Sequence, residues 1–164
     1  MTLDARLSVA VPLIRDAGEM AAGFFARRGS LTRERKGPQD FVSVADREVE
    51  ALIRSRLAAA FPADGFLGEE SGGGAGERCW VVDPIDGTNN FLHGLPLWGV
   101  SIAYAIEGEP VIGLIYLPCI GRLYSAVRGG GARCNGAPIA VSGTGDLAEA
   151  MITLGVSRRT SPDL

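Results

Sequence analysis

The sequence has 164 residues, 46% of them hydrophobic and 21% charged, with a formal net charge of −3. That length holds one domain of ordinary size with room for the start of a second, and the apolar share is that of a globular chain rather than a disordered one. The acidic balance argues against a broad nucleic-acid surface, and no apolar run approaches the ~18 residues of a membrane span. Three cysteines (Cys79, Cys119, Cys134) without CxxC spacing make neither a disulfide framework nor a zinc site, which points to small apolar residues in a reducing cytoplasm.

Apolar residues at Leu7, Ala10, Ile14, Ala17, Ala21 and Phe24 recur at steps of three and four, which predicts a helix that stops near Gly29. Pro12 means that this helix either starts near it or kinks there. Positive charge is dense from Arg27 to Lys36, either a solvated loop or an attraction for an anionic substrate in a nearby cleft. A second helix follows. Ser43 is placed as its N-cap and Asp46 as its acidic N3 residue, Val49, Leu52, Ile53, Leu57 and Ala60 form its apolar face, and Pro62 and Gly65 end it.

Beyond residue 65 short apolar runs alternate with Gly and Pro turns: 65–68, 79–82, 100–106, 111–117, 122–127 and 138–141. Most of the 23 glycines, about twice the usual ~7% share, fall among these turns. Glu107-Gly108-Glu109-Pro110 joins two of the runs as a hairpin, and Asn135-Gly136 is a tight-turn signal between two more short strands. Helices first and a strand meander second predict an α+β fold, two long helices packed on one face of a largely antiparallel sheet. Residues 142–149 read as a polar linker. Gly143-Thr144-Gly145-Asp146-Leu147-Ala148 matches a dinucleotide-binding pattern, but it leaves no room before Leu164 for the strand and acidic residue that pattern requires. The apolar run 150–156 is strand-like. The expected division is an α+β domain over 1–147 and, over 148–164, the start of a second domain that is otherwise absent.

The chemistry concentrates in Trp80-Val81-Val82-Asp83-Pro84-Ile85-Asp86-Gly87-Thr88-Asn89-Asn90-Phe91. An apolar strand runs into two carboxylates three apart, Pro84 stiffens the turn, and Gly87 lets the backbone approach a ligand. A helix starting near Thr88 would aim free N–H groups at the same point and suit an oxyanion. Upstream, Phe66-Leu67-Gly68-Glu69-Glu70-Ser71 puts two more acids after a second short apolar run. Like charges packed together are costly unless a cation joins them, so two acidic pairs at strand ends point to Mg²⁺ bridging to a phosphate. Plainer roles remain open for each residue: turn chemistry for Asp83 and Asp86, a solvated loop for Glu69 and Glu70, helix capping for Asp46, and a surface position for Lys36. His93, the single histidine, makes no His-rich metal site.

These stretches, with Asp40-Phe41-Val42-Ser43-Val44-Ala45-Asp46 and Arg128-Gly129-Gly130-Gly131-Ala132 through Asn135-Gly136, resemble the N-terminal part of the inositol monophosphatase family of Mg²⁺-dependent, lithium-sensitive phosphatases, over roughly residues 5–155. The resemblance implies the N-terminal domain of the inositol-monophosphatase-like sugar phosphatase fold and two or three Mg²⁺ ions. Glu69, Asp83 and the Ile85 carbonyl would bind the first metal, with Asp83 bridging to a second held by Asp86. Glu69 and Thr88 would position a metal-activated water, and Asp46 would hydrogen-bond Thr88. The Gly87 and Thr88 backbone would hold the phosphate, with Lys36 nearby. The family's C-terminal α/β domain, with its Trp-Asp-x-x-Ala-Gly motif and most specificity contacts, has no counterpart here beyond 150–156, which resembles its first strand. The resemblance therefore implies weak or no turnover by this chain alone, and an exposed apolar face favouring a homodimer.

The expected function is hydrolysis of a small phosphorylated metabolite, inositol 1-phosphate first, with histidinol phosphate, fructose 1,6-bisphosphate and adenosine 3′,5′-bisphosphate as relatives' substrates. A haloacid-dehalogenase phosphatase is disfavoured, since that family spaces its two aspartates by two positions and these are three apart. A non-catalytic binding module remains the alternative from another class.

Overall fold

The computed structural model describes residues 2–30, 33–37, 40–74 and 76–153, with the backbone alone for 30, 33–37 and 40–43. Helix α1 (Leu3–Ala26) opens with the Thr2 hydroxyl accepting the Ala5 N–H at 3.3 Å. The helix continues through Pro12 rather than starting there. Pro12 is exposed, so the missing hydrogen bond falls on the solvent side. It ends at Ala26, before Gly29, which lies in a short 3₁₀ turn over Arg28–Ser30. A hairpin of β1 (Arg33–Gly37) and β2 (Asp40–Ser43), absent from the sequence-based expectation, leads into α2 (Val44–Ala60).

The rest is one eight-stranded sheet. Its strands are β3 (Gly65–Gly68), β4 (Gly72–Gly74), β5 (Arg78–Asp86), β6 (Gly99–Ile106), β7 (Glu109–Leu117), β8 (Arg122–Val127), β9 (Gly131–Cys134) and β10 (Ala137–Ile139), with the short helix α3 (Thr88–His93) between β5 and β6. Their spatial order is β10-β9-β8-β7-β6-β5-β3-β4. Every pairing is antiparallel except β3 with β5. The expected hairpin joins β6 and β7 through Glu107 and Gly108, both at positive φ (52° and 80°), the combination a two-residue turn between right-twisted strands demands. Asn135 and Gly136 make the same kind of turn between β9 and β10.

Helix α1 packs on β6, β7 and α2, while α2 packs on β5. The interior between them holds Ile14, Ile53, Leu57, Ile102, Ile112 and Leu114, with Trp80 stacked on Phe61 and tilted against Tyr104. At Gly18 the helix backbone rests on the Tyr116 ring, leaving no room for a Cβ. One buried residue of α1 breaks the apolar pattern. Arg6 donates two hydrogen bonds to Asp64, at 3.0 and 2.8 Å, and stacks over the Tyr104 ring, whose hydroxyl also reaches Asp64. Both charged side chains are almost wholly buried, a pairing whose desolvation cost is repaid only by such complete hydrogen bonding.

On the opposite sheet face Val81 and Ile115 stay 39% and 44% exposed. Residues 150–153 form no strand, and the remainder of the apolar run, 154–156, lies outside the described residues. The glycine-containing segment from 143 is irregular and exposed up to a 3₁₀ turn at Leu147–Glu149. No helix among the described residues is long and apolar enough to cross a membrane.

Candidate metal and phosphate site

The parallel pairing of β3 with β5 builds the site. Gly68 lies opposite Val82, so the next residue on each strand, Glu69 and Asp83, leaves the sheet at the same edge. The Glu69 N–H donates to the Val82 carbonyl at 3.1 Å, continuing the ladder one step past β3. The Glu69 and Asp86 charges both act on the Asp83 carboxyl at this point. Burial first, and then the negative Glu69 and Asp86, push the Asp83 carboxyl up to about 8, although the Ile85 N–H donates to it at 3.1 Å and pulls the other way. Three acids of like charge gathered at one edge call for a cation or for a proton on Asp83. Among the described residues no group of three or more His, Cys, Asp and Glu is already arranged as a metal cage. Glu69 and Asp86 are exposed, and the donor set, hard oxygens of like charge, suits Mg²⁺.

Gly87, at φ 89°, turns β5 into α3. A Cβ there would sit 3.1 Å from the Leu97 carbonyl, so both space and conformation favour glycine. Thr88 begins α3. Its hydroxyl has two acceptors in reach, the Ile85 carbonyl at 3.0 Å and the Asp46 carboxylate at 3.5 Å. Asp46 is almost fully buried in the first turn of α2, where a carboxylate also complements the helix dipole.

The structure thus gathers Glu69, Asp83, Asp86, Ile85, Gly87, Thr88 and Asp46 around the edge where β3 and β5 end. Lys36 is on β1, and its side chain lies outside the described residues. His93 is exposed, with its Nδ1 2.7 Å from the Asn89 carbonyl, and stands as loop structure. One site-facing residue escapes sequence reasoning. Glu50 is 3% exposed, and its carboxylate receives the Glu70 and Ser71 N–H groups. Asp46, Glu50, Ile53 and Leu57 follow steps of four, three and four, so two acids occupy the buried stripe of α2. A charged residue in an apolar stripe was the available signal.

A helix pair on one face of a mixed sheet, with carboxylates collected where two parallel strands end, is the plan of a sugar-phosphatase-type α+β domain. The family model for the inositol monophosphatase family matches residues 2–164. A histidinol-phosphatase of Chlorobaculum parvum is 46% identical over 83% of this chain and 53% of its own. An inositol-1-monophosphatase of Mesorhizobium japonicum is 43% identical over 95% of this chain and 60% of its own. Among solved structures, the extragenic suppressor protein suhB of Bartonella henselae superimposes with a TM-score of 0.83 and 40% identity, over 85% of this chain and 55% of that one. The chain belongs to the inositol monophosphatase family. It spans between about half and three-fifths of the length of these relatives.

Proposed function

We propose that this chain carries the metal- and phosphate-binding part of a Mg²⁺-dependent phosphomonoesterase acting on inositol 1-phosphate. The observation that carries the reading is the parallel register that brings Glu69 and Asp83 to one sheet edge beside Asp86, a cluster of like charge that a cation would relieve. Family membership supports the hydrolase class, and through it lithium inhibition. Glu69, Asp83, Asp86 and the free lone pair of the Ile85 carbonyl would hold the ions. Bound Mg²⁺ would lower the pKa of water, neutralise phosphate charge and stabilise the leaving alkoxide. Glu69 and Thr88 orient the attacking water, and Asp46 keeps the Thr88 hydroxyl turned toward the site. The backbone of Gly87 and Thr88 holds the phosphate, with Lys36 adding positive charge.

Histidinol phosphate is the second reading of the substrate, favoured by the 46% identical histidinol-phosphatase. No Trp-Asp-x-x-Ala-Gly motif occurs in these 164 residues, so slow turnover is expected of the chain by itself. The exposed sheet face at Val81 and Ile115 supports a homodimer, and three free cysteines support a cytoplasmic location.

Metal binding is the direct test, with Mn²⁺ as a spectroscopically visible stand-in for Mg²⁺. The folded chain should bind Mn²⁺ in competition with Mg²⁺, and Asp83→Asn should lose that binding while keeping its circular dichroism spectrum. A folded wild-type chain without Mn²⁺ binding overturns the reading. Phosphate release from inositol 1-phosphate and histidinol phosphate, with and without Li⁺, then decides between the substrates.

A further inference from the structure

The turn after β3 is held from two sides. Glu69 gives its N–H to Val82 on β5, while the next two N–H groups, of Glu70 and Ser71, go to the two carboxylate oxygens of Glu50 at 2.8 and 2.9 Å. Three consecutive amides are therefore committed, one to the strand that carries Asp83 and two to α2. Gly68 closes the arrangement, because a Cβ on it would lie 2.5 Å from the Glu50 carboxylate. Its φ is not positive, so close approach rather than conformation is what requires glycine at this point. One turn earlier on the same face of α2, Asp46 faces the Thr88 hydroxyl.

A buried carboxylate is costly, and two acids at i and i+4 repel, so packing alone would place apolar residues at both positions. Both acids instead reach the two chain segments that carry Glu69 and Thr88. We infer that Glu50 is a positioning residue for Glu69: its carboxylate clamps the 69–71 turn so that the Glu69 side chain is held beside Asp83 ready for a cation. This deepens the proposed metal site and rests on that reading. The clamp acts on the backbone and needs no contact with the ion. It also accounts for the Gly68-Glu69-Glu70-Ser71 order: a glycine to admit the carboxylate, the ligand, and two amides to receive it.

The test uses the full chain and two readouts. In metal-free protein, Glu50→Gln replaces one acceptor oxygen with an N–H donor. Amide hydrogen exchange should then show lost protection at Glu70 or Ser71, with the rest of β3 and β5 unchanged. In the Mn²⁺ titration the same variant should bind about 10–100-fold more weakly, the usual effect of removing a residue that orients a ligand. Ile53→Ala, one turn along the same stripe and remote from these amides, is the control for general destabilisation. It should lower the melting temperature at least as much while leaving Mn²⁺ affinity at the wild-type value. If Glu50→Gln does not fold, Gly68→Ala displaces the carboxylate from the other side and should weaken Mn²⁺ binding similarly. Unprotected amides with wild-type Mn²⁺ affinity overturn the inference and leave Glu50 a structural tie. Parallel losses of affinity in Glu50→Gln and Ile53→Ala overturn it as well. Protected amides in a wild-type chain that binds no Mn²⁺ sink the metal reading and this inference with it, but leave the clamp as observed structure.

Discussion

The Asp83 carboxyl offers a stability measurement that needs no substrate. In the metal-free chain it titrates at about 8 instead of 3.8, because it is buried and then because Glu69 and Asp86 are negative beside it. A carboxyl whose folded-state pKa exceeds its unfolded one binds more protons when folded, so ionising it destabilises the fold. The cost is absent below about pH 4, grows between the two pKa values, and is complete above about pH 8. At about 1.4 kcal/mol per pH unit that interval sets a ceiling of about 6 kcal/mol. Solvent reaches the cluster through exposed Glu69 and Asp86, so about half the ceiling, about 3 kcal/mol, is expected. Asp83→Asn keeps an acceptor for the Ile85 N–H and a donor for Glu69 while removing the charge. Urea titrations in EDTA at fixed ionic strength should find the variant more stable than wild type by about 3 kcal/mol at pH 9 and by less than about 1 kcal/mol at pH 5. At pH 9 the melting temperature should rise by about 6–12 °C. Saturating Mg²⁺ should invert the order, stabilising wild type and not the variant. A stability difference that stays constant from pH 5 to pH 9 would refute the reasoning.

Two further outcomes concern the scaffold. Asp64→Ala strips both hydrogen bonds from buried Arg6 and should cost about 3–5 kcal/mol in urea unfolding, whereas replacing the pair together by Arg6→Met and Asp64→Leu should recover most of it. A single-variant loss below about 1 kcal/mol would show that the pair contributes nothing to the fold. In size-exclusion chromatography wild type should elute as a dimer and Ile115→Lys as a monomer, because the substitution puts a charge in the middle of the open sheet face. A wild-type monomer at all loading concentrations rules out that face as a self-association surface.

Much of the fold is legible locally. The β6–β7 hairpin and the Asn135-Gly136 turn are written in short-range patterns, since left-handed turn positions select Gly and Asn and alternation selects the strand. The helix periods are equally clear, but where α1 begins relative to Pro12 is settled only by the structure, which starts it at Leu3 with Pro12 facing water. The β1–β2 hairpin escapes because its strands, Arg-Glu-Arg-Lys-Gly and Asp-Phe-Val-Ser, carry no alternating apolar pattern. Arg6 and Glu50 escape for a different reason. Each lies in a helical stripe whose neighbours are apolar, and its partner is 58 or about 20 residues away.

The identity of the acidic residues and their placement at strand ends follow from the sequence alone, because a motif such as Asp83-Pro84-Ile85-Asp86-Gly87-Thr88 carries its turn chemistry within itself. Tertiary structure decides which acids meet. Glu69 reaches Asp83 through the parallel register of β3 on β5, and both Glu69 and Thr88 are tied to α2 through Glu50 and Asp46. Register between distant strands and the rotation of a helix over a sheet are set by how the whole core packs, a long-range condition that no local residue pattern encodes.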